Sequence, residues 1–176
     1  ELIIGYPWHF THNALRSQEV IRSGELGEIR YINCFFASMV IRLYRGDDRI
    51  NQQMFNYPVV GPGDVYSDPG RSGGGQGHLQ VTHSAALMHF ITGLKPVTVM
   101  SLMNNLDVKV DVVDAMVVSM DNGALANVGS IGMIRPGDSD NLTINIYCDN
   151  GSIDLDFIQG TGKIGHADGT DETLPV

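Results

Sequence analysis

The chain has 176 residues and a formal net charge of −9, from 11 basic and 20 acidic side chains. With 43% apolar and 18% charged residues it can fill a core, which argues against intrinsic disorder. The acidic balance repels phosphate and weighs against a nucleic-acid binder or a polybasic membrane docker, and no apolar run approaches the about 18 residues of a membrane span.

Two cysteines, Cys34 and Cys148, stand far apart with no CxxC, so two buried free thiols are expected rather than a disulfide scaffold or a cysteine-rich zinc site. The opening Glu1-Leu-Ile-Ile-Gly5 has no initiator Met and no basic n-region. It reads as the inside of a strand over residues 2–6 with further structure upstream, and a cytoplasmic location is expected.

Thr11 or Asn13 can cap a helix running to about Ser23, with Gly24 placed for a left-handed C-terminus. Glu28–Met39, rich in Ile, Tyr and Phe, predicts a long strand. Residues 42–72 have no sustained period and form a long excursion, of the kind that often carries function. Gly73-Gly74-Gly75 then leads into a helix from about Gln76 to Ile91, ended by Gly93 and Pro96. It is apolar nearly all round and is expected to be largely buried.

The remainder reads as strands: Val97–Met103, Ala115–Met120, Ala124–Met133, Leu142–Cys148 and Ser152–Phe157. Asp121-Asn122-Gly123 and Asp149-Asn150-Gly151 predict hairpins whose turn positions take positive φ. In the second hairpin Leu142, Ile144, Ile146, Ile153, Leu155 and Phe157 point one way, and Thr143, Asn145, Tyr147, Asp154 and Asp156 the other. One sheet face therefore packs on helices while the other meets water or a partner. The apolar runs 97–103 and 115–120 suit burial on both faces. The expected fold is α+β over residues 1–159: a large open, mostly antiparallel sheet with about two main helices on one face. Residues 160–176, rich in Gly, Asp and Thr, are expected as a loose acidic segment.

Gly160-Thr-Gly162-Lys-Ile-Gly165 matches GxGxxG. A dinucleotide site also needs a helix N-terminus behind the glycines and a second strand carrying an acidic residue about 20 positions on. Too little helix-poor chain follows, so the match is read as chance.

The polar groups that could carry chemistry gather around histidines. His9 and His12 sit at the first junction into a helix, and His78, His83 and His89 lie along the glycine-led helix. Gln76, Gln80 and His83 follow an i, i+4, i+7 spacing and share one helical face. A polar stripe on an apolar helix either bonds internally or lines a cavity, and histidine suits proton transfer near neutral pH. From the residues, His83 is either a core histidine satisfied by a carbonyl or part of a polar cavity. A zinc site from His9, His12 and His83 lacks the carboxylate of an HExxH pattern, and no GxSxG elbow marks a serine hydrolase.

Three motifs in order carry a resemblance. Ser23-Gly-Glu-Leu-Gly-Glu-Ile29 resembles the "SGxIGEI" step of the Gfo/Idh/MocA oxidoreductases; Gly73-Gly-Gly75 with His83 and Gly93 resembles their "GGG…H…LxG" helix; and Gly5-Tyr6 before a helix resembles the first strand of their second domain. The match runs over residues 1 to about 157. It implies an NAD(P)-dependent oxidoreductase acting on a sugar or polyol, of which this chain is the substrate-binding and oligomerisation domain. It further implies an N-terminal Rossmann domain absent from the chain, so this fragment is expected to bind no NAD or NADP and to be inactive by itself.

By the same resemblance His83 is the catalytic proton-transfer residue, and Gln80, His9, Trp8, His78 and Tyr66 are substrate-binding positions. No metal site is implied. Asp68 and Arg71 could reach polyol hydroxyls or serve only as solvated loop charges. Many members place an aspartate four residues before the histidine, where this chain has Leu79. That departure keeps open an alternative, a non-catalytic scaffold or regulatory member of the same fold. The resemblance also implies a homodimer or higher oligomer through the sheet.

Overall fold

The computed structural model describes residues 5–47 and 65–175. Within them the alternating and apolar runs become eight strands of one sheet: β1 (Ile29–Ala37), β2 (Pro96–Asn104), β3 (Val113–Met120), β4 (Leu125–Ile131), β5 (Asn141–Cys148), β6 (Gly151–Asp156), β7 (Thr161–His166) and β8 (Asp171–Leu174). Their order is β2-β3-β4-β1-β5-β6-β7-β8. The β1–β4 pair is parallel and every other pair antiparallel, so the architecture is the expected open α+β sheet.

Two twelve-residue helices, α1 (His12–Ser23) and α5 (Val81–Thr92), pack on one face of this sheet. Short helical turns fill the connections: α2 (Ile41–Tyr44), α3 (Pro69–Ser72) and α4 (Gln76–Leu79). Helix α1 ends at Gly24 with φ +75°, as the spacing predicts. At its other end Thr11 stands in the capping position but turns its hydroxyl back to the Trp8 carbonyl at 2.7 Å. The strand expected over residues 2–6 lies mostly outside the described residues. Gly5 and Tyr6 are not in a strand and lead into a 3-10 turn, Pro7–Phe10.

The β5–β6 hairpin buries Leu142, Ile144, Ile146, Ile153, Leu155 and Phe157 under the helices, with Ile32, Cys34 and Phe36 of β1 beside them. The two Asn-Gly turns differ from expectation. In the first, only Gly123 takes positive φ (+86°); in the second, neither Asn150 nor Gly151 does. Gly151 is required by proximity instead, because a Cβ there would stand 2.1 Å from the Gly165 carbonyl oxygen of β7.

Two further expectations are corrected. In the segment 160–176 the described residues, 160–175, are not a loose tail: β7 and β8 extend the sheet, burying Ile164 and Leu174. Arg16 of α1 clamps Glu172 of β8 through two bonds of 2.8 Å. The composition looks loose because glycine serves close packing there; a Cβ on Gly162 would meet Leu155 at 2.7 Å. Neither run, 97–103 nor 115–120, is buried on both faces: in β3 Ala115 and Val117 are exposed while Val118 and Met120 are buried. All nine residues of β2 are exposed, Met100 by 73% and Leu102 by 81%, because β2 is a sheet edge beyond the reach of α1 and α5.

Both cysteines are free. Cys34 is buried, and Cys148 is only half-buried where full burial is expected. Desolvation pushes the Cys34 thiol up to about 12 and the Cys148 thiol up to about 11, so neither is a ready thiolate. No helix among the described residues is long and apolar enough to cross a membrane.

Candidate functional site

The glycine-led helix arrives in two pieces, α4 and α5, joined at Gln80, whose φ widens to −103°. This splits the polar stripe. Gln76 is fully buried, accepting the Tyr44 hydroxyl at 2.9 Å and donating to Ser130 Oγ at 2.7 Å; it anchors the helix to the sheet. Gln80 stays half-buried at the joint, and its carbonyl accepts the His83 amide at 3.0 Å.

His83 sits in a cage of rings supplied by the N-terminal turn and by β1. Its imidazole centroid lies 5.3 Å from Trp8, 5.4 Å from Tyr6 and 6.3 Å from Phe36, each ring nearly perpendicular. Trp8 in turn packs edge-on to Phe36 at 5.8 Å. His9 stacks on Phe90 at 4.6 Å and lies 5.4 Å from Tyr6. The site is thus made by three separate segments: Tyr6–His9, Phe36 and α5.

Two imidazole nitrogens in this cage, His83 Nδ1 and His9 Nε2, are buried without a hydrogen-bond partner. Buried polar atoms of native proteins are ordinarily satisfied, so both nitrogens have unused hydrogen-bonding capacity. Burial pushes the His83 pKa below the ordinary imidazole value, and the neighbouring His9 pushes it the same way. Burial also lowers His9, partly offset by the Ala86 carbonyl. Both rings are therefore held neutral at neutral pH, the form that can accept a proton. Beside His9 a cavity of about 590 Å³ opens between α1 and α5, lined by Tyr6, Gln18, Arg22, His89 and Phe90 among others.

The structure brings His83, His9 and Trp8 together. His78 is exposed and lies against Gly73 and Gly74, at the start of α4. Tyr66 packs with Tyr44, Ile41 and Leu43 in a second, smaller apolar cluster, and Leu79 joins that same cluster. Asp68 caps α3, accepting the Gly70 amide at 2.9 Å. Tyr6 and Phe36 are cage residues that periodicity could not reveal, since each reads as an ordinary apolar position. The aspartates 111 and 114, which face the start of α4, also carried no sequence signal. No group of three or more His, Cys, Asp or Glu that could hold a metal occurs among the described residues. The GxGxxG match lies in β7, antiparallel to β6 and β8, with no helix opening behind it, so it forms no pyrophosphate cradle.

The description "GFO/IDH/MocA C-terminal domain" matches residues 14–154. The chain belongs to the Gfo/Idh/MocA family. Solved structures repeat this fold at low identity. An oxidoreductase domain protein from Kribbella flavida shares 17% identity at a TM-score of 0.76, over 98% of this chain and 45% of that one. Levoglucosan dehydrogenase in complex with NADH and L-sorbose shares 16% at 0.74, over 97% and 46%. An NAD binding oxidoreductase from Klebsiella pneumoniae shares 16% at 0.75, over 97% and 45%. The Gfo/Idh/MocA chain described here thus spans just under half the length of these structures. No curated protein matches it in sequence.

Proposed function

We propose that this domain is the substrate-binding half of an NAD(P)-dependent oxidoreductase acting on a CH–OH group of a sugar or polyol, with His83 as the proton acceptor. The observation that carries the reading is the caged, neutral His83, whose buried Nδ1 has no partner. In support stand the family membership and neighbours whose complexes hold NADH, one with L-sorbose. Bound nicotinamide would supply the hydride chemistry, held by the further domain that the reading implies. What this chain contributes is the removal of the hydroxyl proton to the His83 imidazole, a group kept neutral and dry by Trp8, Tyr6 and Phe36. His9, Trp8 and Gln80 border the substrate in this reading. His78 and Tyr66 stand on the flank toward α2 and α4.

The exposed apolar surface of β2, with Tyr31, Phe35, Val117, Leu125 and Tyr147 on the sheet, supports a homodimer that covers it. In the full-length enzyme, His83→Ala should lower turnover by about two orders of magnitude, the scale of general base catalysis. Unchanged turnover would remove His83 from this role.

One observation favours a second reading. Leu79 occupies the position of the family's aspartate and is packed in the second apolar cluster, so no carboxylate pairs with His83 from that turn. A non-catalytic member of the fold would show no NAD(P)-dependent turnover of polyols in the full-length protein, with or without His83.

A further inference from the structure

The β2–β3 connection and the start of β3 place two carboxyl groups against the start of α4. Asp111 accepts the Gly75 amide at 2.9 Å through Oδ1 and the Gly77 amide at 2.6 Å through Oδ2, while its own carbonyl accepts the Gln76 amide at 2.9 Å. The approach is so close that a Cβ on Gly75 would stand 2.1 Å from the Asp111 carbonyl oxygen. Asp114 is 2% exposed, and neither of its carboxyl oxygens accepts a hydrogen bond. Gly77 overlooks both acids: a Cβ there would lie 3.3 Å from Asp111 Oδ2 and 3.4 Å from Asp114 Oδ2.

Two ionised carboxylates facing one dry spot would repel, and a buried carboxylate without a donor is costly. Asp111 already has its donors in the helix amides. Asp114 has none, so the simplest way to satisfy it is to keep a proton and donate it to its neighbour.

We propose that Asp111 and Asp114 share one proton, and that this proton is a clasp holding the first turn of α4, and with it the helix that bears His83, against the sheet.

The surroundings fit. The residues paired with Asp114 across the sheet, Met103 of β2 and Ser130 of β4, are uncharged. Among the described residues, the titratable groups that face the pair are the Tyr44 phenol from α2, with Tyr66 next to it, and His78 from α4. Burial, and then the charge of Asp111, push the Asp114 carboxyl up to about 7. The folded state therefore holds a proton that the unfolded chain releases in the ordinary carboxylate range. Stability from this group is full at acid pH and lost as pH rises toward about 7, above which the loss is complete. The clasp is separate from the catalytic reading of His83 and does not depend on it.

Carbon-13 NMR of the Asp114 carboxyl in the intact chain tests the proton directly. An inflection near 7 is expected, and one in the ordinary carboxylate range would overturn the proposal. Urea unfolding of the wild type against Asp114→Asn, a neutral stand-in for the protonated acid, tests the coupling. Relative to the variant, the wild-type unfolding constant should rise by up to about tenfold per pH unit across the window, the slope of a single released proton. Parallel curves would overturn the proposal. Amide exchange at Gly75 and Gly77, corrected for base catalysis, should quicken in the wild type above about 7, and unchanged protection would overturn the clasp. The NMR and exchange arms stand even if the variant fails to fold.

Discussion

Tyr44 donates its buried hydroxyl to Gln76 Oε1 at 2.9 Å. Gln76 passes the bond to Ser130 of β4, and Ser130 donates to the Phe36 carbonyl of β1 at 3.0 Å. A single relay thus ties α2 and the first residue of α4 to the parallel pair β4 and β1, and it ends on the residue whose ring walls His83. Tyr44→Phe should cost about 1–3 kcal/mol, the scale of one orphaned buried acceptor. Gln76→Leu should cost more, since it takes the acceptor from the buried Tyr44 hydroxyl and one donor from Ser130 Oγ. Urea unfolding of the two variants checks the order.

Gly75→Ala should destabilise by about 3 kcal/mol or more, the top of the range for overpacking, because the added methyl meets the Asp111 backbone, which has no rotamer with which to escape. Gly93→Ala is the control. Its Cβ would meet nothing within 4 Å, and only the left-handed φ of +72° opposes it, at about 1–2 kcal/mol. Thermal unfolding of both variants separates steric from conformational cost.

The depressed pKa values of His9 and His83 set a second pH dependence with the opposite sign to that of Asp114. Unfolding lets both imidazoles take up protons at the ordinary value of about 6.5. Stability from these two groups is therefore full above that value and falls as pH drops below it toward their folded values. A His83→Gln variant should lose its share of this decline on acidification while keeping the loss of stability that Asp114 sets as pH rises toward about 7. Melting temperatures at stepped pH would show it.

Leu102→Lys and Met100→Lys lie on the exposed edge strand and should leave the melting temperature of the monomer nearly unchanged, since neither side chain is buried in the chain. If the sheet is the oligomer interface, each should shift the sedimentation profile toward monomer. An unaltered oligomer would place the interface elsewhere.

The periods of the chain were enough for much of this architecture. Alternation in Leu142–Phe157 placed six side chains under the helices, and Gly24 and Gly93 marked two helix ends. The motif order around Gly73–Gly75 and His83 carried the family. These are short-range signals: a pleat repeats every two residues, and a helix end needs a residue tolerant of positive φ.

What surrounds His83 had no such signal, because Tyr6, Trp8 and Phe36 come from segments that only the folded sheet brings together. The same holds for the tail. Residues 161–174 look like a loose segment until β6 provides the ladder on which they pair, and burial of Ile164 and Leu174 outweighs their composition. It holds too for β2, whose apolar run reads as core yet sits on an edge, and for Asp114, which is an ordinary acid until the fold sets it against Asp111 in a dry corner. Local chemistry chose the elements. Proximity between distant segments chose which side chains are dry, which are paired and which stay neutral.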